Sequence, residues 1–243
     1  RAMIDAAIEP GARKVYLLET AVATAMGAGV DISKPDGHMV IDIGGGTTDV
    51  AVISLGGVVI SESAKVAGNK FDEALMRYVR RNYGVLIGER TAESIKIQIG
   101  SVFRHEREMK MDVKGRSMDH GLPEVITLSS FEMIKAFAEP LSAVLDVICS
   151  VIEKTPPELM GDIIRGGIVM TGGGSQLRGI DRVVQEITGI KTTVAKHPVS
   201  CVALGTGKAL RYLTDLEEGT IDFSYACSVS LKSREHGLPR KNG

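Results

Sequence analysis

The chain has 243 residues, enough for one large domain or two small ones with a sizeable hydrophobic core. A formal net charge of −1, no tryptophan and few other aromatic residues argue against nucleic acid as a partner. Three widely spaced cysteines without metal-ligand spacing are typical of a reduced, cytosolic protein, and no apolar run approaches the roughly 20 residues of a membrane span.

The first residues predict two helices around a short strand. Helical spacing over 1–8 stops at Pro10 and Gly11, and an apolar strand follows at 15–18. Small residues at 21–30 predict a helix that packs closely against a neighbour. The chain has no initiator Met and opens inside a helical pattern, so we expect it to be an N-terminally truncated piece of a longer protein.

The stretch from His38 to Leu55 predicts a β-hairpin with an unusually glycine-rich turn. The turn residues are Gly44, Gly45, Gly46, Thr47 and Thr48. An ordinary hairpin needs one or two special turn residues, whereas three glycines let successive backbone N–H groups point into one concavity that an anion can approach. The threonines add hydroxyl donors, and Asp42 places beside them a carboxylate suited to hydrated Mg²⁺. A flexible turn with a capping Asp is the alternative.

The next segment predicts a third strand of an antiparallel meander, followed by helices and a hairpin. We predict strands at 39–43, 49–55 and 58–66, helices at 71–82 and 92–102, a hairpin of strands 109–114 and 124–128 across a long polar turn, and a helix at 129–154. Ser129 and Glu132 fit a capping box, and Pro140 should kink or split the last helix. Glu93 and Lys96 share one helix face, where a surface ion pair is the simplest interpretation.

A second glycine cluster follows a short helix at 158–164 and an apolar strand at 168–171. It consists of Gly172, Gly173, Gly174 and Ser175, and leads into a helical pattern over 180–187. Strand, glycine turn and helix N-terminus form a typical nucleotide-binding corner, although neither the dinucleotide fingerprint nor the P-loop motif occurs. A tight turn into a surface helix is the alternative. A strand at 192–195 and a helix at 199–213, with Gly205 and Gly207 on a small face for close packing, complete the prediction.

These two motifs carry a resemblance to a known superfamily. DIGGGTTDVAVIS, from Asp42, resembles the second phosphate loop of the actin, sugar-kinase and heat-shock-chaperone ATPases, and GIVMTGGGSQLRGID, from Gly167, resembles their adenosine loop. Over residues 1 to about 213 the chain resembles the MreB/Mbl family of bacterial actin homologues, the rod shape-determining proteins. The resemblance implies the α/β, RNase H-like actin fold, with ATP and Mg²⁺ in a cleft between two domains.

The resemblance also implies a domain organisation. The second large subdomain would comprise 31–66 and 126–197, with a small subdomain, 67–125, inserted into it. Residues 1–30 and a return helix at 198–215 would belong to the first large subdomain, whose remainder is expected upstream of this chain. Residues 216–243 have no family counterpart and predict a disordered tail.

Roles for the candidate site residues follow from the same resemblance. In the family, a Glu and the first Thr of the second phosphate loop orient the attacking water; these positions are Thr20 and Thr47 here. Asp42 would hold Mg²⁺ through water. The nucleotide-binding residues would be Gly44, Gly45, Gly46, Thr47, Thr48, Glu93, Lys96, Gly172, Gly173, Gly174 and Ser175. Thr20 carries no negative charge, so slow or altered hydrolysis is predicted.

The function implied by the resemblance is that of an ATP-binding, filament-forming actin-like protein. It would direct cell shape and wall synthesis from the cytoplasmic face of the inner membrane. Its partners would be other filament subunits, the membrane through the upstream part, and cell-wall elongation membrane proteins, with no nucleic acid. Because Thr20 occupies the family's Glu position, the ATPase activity is uncertain, and a hydrolysis-poor ATP-binding scaffold is one alternative. A small-molecule kinase of the same superfamily is another.

Overall fold

The computed structural model describes residues 2–12, 14–211 and 219–220, which form an α/β fold. The strands are β1 (Tyr16–Leu17), β2 (His38–Ile43), β3 (Thr48–Ser54), β4 (Gly57–Ala64), β5 (Val85–Leu86), β6 (Lys110–Ser117), β7 (Pro123–Ser129), β8 (Ile168–Thr171), β9 (Thr192–Val194) and β10 (Gly219–Thr220). The helices are α1 (Ala2–Ile8), α2 (Thr20–Ala28), α3 (Gly68–Tyr83), α4 (Glu89–Ile99), α5 (Ser130–Ala136), α6 (Ala138–Lys154), α7 (Pro157–Gly166), α8 (Ile180–Thr188) and α9 (Cys201–Ala209). Two 3-10 turns lie at Gly173–Gln176 and Pro198–Ser200.

The largest sheet has five strands in the order β4-β3-β2-β8-β9. The antiparallel meander of β2, β3 and β4 is confirmed, and β8 and β9 extend it in parallel from β2. β2 is therefore the central strand, paired on both edges. Its apolar residues are buried on both faces, as expected for a strand with helices on either side.

The two faces of this sheet belong to two hydrophobic clusters. On one face, Val40, Ala51 and Ile53 pack with residues of α2. On the other face, Met39, Ile41, Ile43, Val50 and Val52 join a larger core that includes residues of α3, α6 and α7. Because side chains alternate along a strand, Asp42 lies on the same face as Val40, towards α2.

A second sheet, with strand order β5-β6-β7, is built beside α3 and α4. The prediction of a long polar turn at 115–123 is wrong, because β6 continues to Ser117 and β7 begins at Pro123. Strand β5 was not predicted. It pairs with the end of β6, where a Cβ added to Gly115 would overlap the side chain of Val85. Pairing with a distant two-residue strand thus makes a glycine-containing, polar segment extended.

Several helix boundaries differ from the prediction. α3 begins at Gly68 and α4 at Glu89, three residues earlier than expected in each case. The predicted long helix is split, as expected, between α5 and α6. The break is at Phe137, so Pro140 falls in the first turn of α6, where its missing N–H costs nothing. Glu132 accepts a hydrogen bond from the Ser129 backbone N–H at 2.9 Å, as the predicted capping box requires.

Helices α2 and α9 approach each other through two glycines. A Cβ added at Gly27 would overlap the Cys201 backbone, and one added at Gly205 would overlap the backbone of Ala23. The predicted close packing of α2 and of Gly205 is confirmed. The same prediction is wrong for Gly207, where an added Cβ would meet nothing within 4 Å. The positions on this helix differ because only one face of it contacts α2.

The predicted tail at 216–243 falls almost entirely outside the described residues. Its described residues, Gly219 and Thr220, pair in parallel with Tyr16 and Leu17. Among the helices that the structure describes, none combines the length and apolar character needed to cross a membrane.

Gly205→Ala is expected to destabilise the protein, because the new methyl group meets backbone atoms that cannot rotate away. Overpacking of this kind costs about 1–3 kcal/mol. The matched control is Gly207→Ala on the same helix, which should gain roughly 0.5–1 kcal/mol from helix propensity. Urea denaturation measures both free energies of unfolding. Equal stability of the two variants would contradict the close approach of α2 and α9.

Candidate functional site

The two glycine turns lie at the same edge of the central sheet. We call Gly44–Thr47 the first corner and Gly172–Gln176 the second corner. β2 and β8 are parallel neighbours with Asp42 opposite Thr171, so the corners that follow them leave the sheet side by side. A Cβ added at Gly174 would overlap the Ile43 side chain. The two turns are therefore neighbours in the fold, although they are distant in sequence.

The first corner is a tight turn in which the fold itself does not require glycine at position 46. The backbone N–H of Gly44 donates to the Thr47 carbonyl at 2.9 Å and closes the hairpin. None of the three glycines at 44–46 has a positive φ. A Cβ at Gly46 would meet nothing within 4 Å. Neither backbone conformation nor packing requires glycine there, so the position is open to approach from outside the chain.

At the second corner, packing requires two of the three glycines, and the third borders open space. Gly172 has φ +80°, and a side chain there would overlap Asp42 and the Ile43 carbonyl. Gly174 packs against Ile43 in the same way, whereas a Cβ at Gly173 would meet nothing within 4 Å. Gly172 and Gly174 are thus required by the contact with β2, and Gly173 is not.

The predicted helix at 180–187 is confirmed as α8, although it does not start at the second corner itself. A 3-10 turn covers Gly173–Gln176, and α8 begins only at Ile180. The Ser175 hydroxyl is buried and donates to the Gly172 carbonyl at 2.7 Å, which closes the turn. Between the second corner and α8, Arg178 forms a β-bridge with Ser101, just beyond the end of α4.

The two threonines of the hairpin have different environments. Thr48 is fully buried, and its hydroxyl donates to the Val66 carbonyl at 2.6 Å. Thr47 is exposed, and its hydroxyl donates to Asp49 Oδ2 at 2.9 Å. Of the two hydroxyls predicted at this corner, only that of Thr47 lies on the open side.

Asp42 faces a second carboxylate across the hairpin. It is directly opposite Asp49 in the register, and the Thr24 hydroxyl donates to Asp42 Oδ2 over a long 3.5 Å. Burial raises the pKa of Asp42, the negative charge of Asp49 raises it further, and hydrogen bonds from Thr171 and Thr24 oppose the shift. Like charges directly opposite in a sheet are destabilising, and a cation would relieve this repulsion.

The Asp42 carboxylate fits the ligand preference of Mg²⁺, and the negative charge of Asp49 beside it favours a cation there. Within the described part of the chain, no group of three or more His, Cys, Asp or Glu residues forms a metal cage. Mg²⁺ usually keeps several waters and takes one or two carboxylates together with phosphate oxygens. Asp49 was missed in the sequence. Its signal was the symmetry of the turn, since a four-residue turn after Ile43 puts Asp49 opposite Asp42.

Thr20 is the first residue of α2 and lies on the same side of the sheet. It lines a surface cavity of about 400 Å³ together with Glu19, Asp49 and Glu62. Asp49 therefore connects the two residues predicted to orient water, since it lines the cavity with Thr20 and bonds Thr47.

Lys96 is tied to the first corner through Gly68. Its Nζ donates to the Gly68 carbonyl at 2.9 Å and to Asp72 Oδ2 at 2.7 Å. The Gly68 backbone N–H in turn donates to the Gly44 carbonyl at 3.1 Å. The surface ion pair of Glu93 with Lys96 is wrong, because Lys96 pairs with Asp72 and both side chains are largely buried, 16% and 12% exposed.

Asp72 was also missed in the sequence, where it is one acidic residue of an amphipathic helix. Burial raises its pKa, the neighbouring Lys96 opposes this, and the charges of Glu93 and Glu89 raise it further. Its second oxygen, Oδ1, is buried without a hydrogen-bond partner among the described residues. Glu93 itself is exposed.

Comparison with known proteins identifies relatives across most of the chain. The family model described as MreB/Mbl protein matches residues 1–218. The cell shape-determining protein MreB of Escherichia coli K12 is 48% identical over 221 residues, covering 91% of this chain and 63% of that protein. The cell shape-determining protein Mbl of Bacillus subtilis is 46% identical over 210 residues, covering 86% and 63%. The chain thus spans less than two thirds of these curated relatives.

Solved structures of MreB5 from Spiroplasma citri share the fold. The ADP-bound form is 42% identical with a TM-score of 0.85, covering 87% of this chain and 64% of that one. The AMPPNP-bound form is 39% identical with a TM-score of 0.83, covering 98% and 66%. The fold of the present chain is therefore actin-like, as predicted.

Asp42→Asn is expected to raise the free energy of unfolding at neutral pH. The pKa of Asp42 is raised in the folded protein above the ordinary Asp value of 3.8. Ionisation of this carboxyl therefore costs stability as the pH rises above 3.8. The amide removes that cost. The gain of the variant should be present at neutral pH and disappear in acid, as urea denaturation across this range would show.

The matched control is Asp36→Asn, in the exposed turn before β2, which should not change stability at either pH. An Asp42→Asn protein that is less stable than the wild type at neutral pH would contradict the environment assigned to Asp42.

Proposed function

This chain belongs to the MreB/Mbl protein family, and from that premise we propose that it binds ATP with Mg²⁺ between its two glycine corners. The observation that carries the proposal is the parallel pairing of β2 with β8, which puts both corners at one edge of the sheet. Gly46 and Gly173 leave space at that edge that the chain itself does not fill. The ADP- and AMPPNP-bound states of the MreB5 relative support an adenine nucleotide as the occupant.

Each corner would serve a different part of the nucleotide. At the first corner, the backbone N–H groups of Gly45 and Gly46 and the Thr47 hydroxyl would meet the phosphates. Asp42 would hold Mg²⁺ through water, where the ion would neutralise phosphate charge. The hydroxyl of Thr48 is already bonded to a carbonyl, so we assign it to the support of the corner.

The second corner and α4 would hold the adenosine. Gly173 and Gly174 would approach it through their backbone, and Glu93 would reach it from α4. Lys96 is already bonded to the Gly68 carbonyl and to Asp72, so we assign it to the support of the first corner. The hydroxyl of Ser175 already closes the turn and would support the corner.

We also propose the domain organisation implied by the family. Strands of 38–64 and 168–194 share the five-stranded sheet, while β5, β6 and β7 form a separate sheet, which supports an inserted small subdomain. Since β7 runs to Ser129, the insertion would end there rather than at 125. α9, packed on α2, would be the return helix to the first large subdomain.

In the cell, the protein would assemble into filaments that direct cell shape and wall synthesis under the inner membrane. The naming of its relatives as cell shape-determining proteins supports this role. Head-to-tail contacts build an open filament when the rotation between subunits does not close. Membrane and wall-synthesis proteins would be further partners.

A second candidate is a scaffold that binds ATP and assembles but hydrolyses slowly, which Thr20 at the family's Glu position favours. Pelleting with ATP and with AMPPNP separates the two. An ATPase should disassemble with time in ATP alone, whereas a scaffold should remain assembled with either nucleotide.

Gly173→Ala is expected to weaken ATP binding without destabilising the fold. The methyl group would occupy space that the chain leaves open and the nucleotide would need. Overpacking costs about 1–3 kcal/mol, which corresponds to roughly 5- to 150-fold in affinity. Titration with a fluorescent ATP analogue, together with a urea denaturation curve, measures both properties.

Gly166→Ala is the matched control, since it lies near the opposite end of β8 and is equally open. It should leave ATP affinity unchanged. Wild-type affinity in Gly173→Ala, or absence of ATP binding by the wild type, would refute the proposed site.

A further inference from the structure

We propose that Asp49 orients the attacking water in ATP hydrolysis, in place of the glutamate that the family has at the position of Thr20. This inference rests on the proposed function, because it assigns a further residue to the same site. It concerns hydrolysis, whereas the proposed site concerns binding.

Asp49 is hydrogen-bonded to Thr47, the residue of the first corner predicted to orient the attacking water. The Thr47 hydroxyl donates its only proton to Asp49 Oδ2 at 2.9 Å. Its oxygen therefore keeps its lone pairs free to accept a hydrogen bond from water. Asp49 has its other oxygen, Oδ1, as a further acceptor. Two acceptors fixed relative to each other can hold both protons of one water and leave its lone pair directed away from them.

The position of Asp49 in the sheet brings its carboxylate to the cavity that Thr20 lines. Thr47 lies just before β3 and Asp49 lies within it, and their hydrogen bond puts both side chains on the same side of the hairpin. Asp49 is opposite Asp42, on the side that faces α2. It is half-buried, so the carboxylate is partly shielded while still reaching the cavity that Thr20 lines. The carboxylate missing at position 20 is thus available from the opposite wall of one cavity.

The other carboxylates that line this cavity are less suited to orient the attacking water. Glu62 is engaged by the Lys154 ammonium group and by the Ser150 hydroxyl. Glu19 precedes α2 and has no hydrogen bond to Thr47 or to any other residue of the first corner in the described structure. Asp49 is the member of this set that bonds a residue of the first corner.

The proposed hydrolysis consumes only ATP and one water molecule. The oxygen of the held water forms a bond to the γ-phosphorus, and the bond from that phosphorus to the bridging oxygen breaks, with the electron pair leaving on ADP. One proton of the water remains on the phosphate product, and the other passes to solvent. Asp49 and Thr47 align the water and are unchanged at the end, so the gain is one of orientation.

The test compares Asp49→Asn with the wild type in the full-length protein. The amide keeps the size of the side chain but loses the charge and one acceptor. We expect kcat for phosphate release to fall about 100-fold, as when a positioned catalytic group is lost, while the KM for ATP and the affinity for the fluorescent analogue stay unchanged. Adding Thr20→Glu to Asp49→Asn should restore most of the rate by returning a carboxylate to the cavity. Glu62→Gln is the control and should keep the wild-type kcat.

A second readout does not depend on turnover. In a crystal structure with AMPPNP and Mg²⁺, a water near the γ-phosphate should lie within about 2.6–3.2 Å of both Thr47 Oγ1 and an Asp49 oxygen. A water held elsewhere, or no water at these atoms, would overturn the inference even if the wild type hydrolyses too slowly to measure.

The remaining outcomes separate this inference from the proposed function. If the wild type does not bind ATP, the proposed function fails, and this inference fails with it. If the wild type binds and hydrolyses ATP but Asp49→Asn keeps its kcat, the inference alone is overturned. If Asp49→Asn instead loses ATP affinity in a way that higher Mg²⁺ restores, Asp49 is a metal ligand, and the water-orienting role is again rejected.

Discussion

The placement of the two glycine corners at one edge of the sheet depends on the parallel pairing of β2 with β8. These strands are more than 120 residues apart in sequence, yet Asp42 and Thr171 are register partners. Because parallel strands end at the same edge, the pairing puts two turns from distant parts of the chain next to each other. Gly172 and Gly174 allow this, since any side chain at either position would overlap Ile43. Ligand sites in α/β sheets commonly lie at the carboxyl ends of such strands.

The same edge carries features that a fold selected only for stability would avoid. Asp42 and Asp49 are opposed in the sheet, and burial raises the pKa of Asp42. Gly46 and Gly173 lose more conformational entropy on folding than alanine would and gain no packing in return. Local rules broken without a structural gain are expected at functional sites. The proposed complex of ATP with Mg²⁺ would explain both violations, because it would bring positive charge and fill the open space.

The sequence supported prediction where the pattern was local. The hairpin of β2 and β3, the capping interaction at Ser129 and the split of the long helix near Pro140 all depend on neighbouring residues, and all are confirmed. β5 could not be predicted, because two residues become a strand only by pairing with β6. The Asp72–Lys96 pair joins two helices through residues that are 24 positions apart in sequence. Helical spacing within α4 instead suggested Glu93 as the partner of Lys96.

Residue type alone does not separate binding groups from supporting ones at this site. Thr47 and Thr48 are adjacent and identical, yet the strand alternation directs one hydroxyl to the open side and the other to the Val66 carbonyl. The backbone of Gly68 likewise has a supporting role that its residue type does not reveal. Its N–H donates to the Gly44 carbonyl, and its carbonyl accepts a hydrogen bond from Lys96 Nζ. The first corner, α3 and α4 are thus joined through one residue. A displacement of the corner would therefore either break these bonds or move α3 and α4 with it. Because α3 packs against β5 and α4 against β6, the corner and the second sheet are linked through these helices.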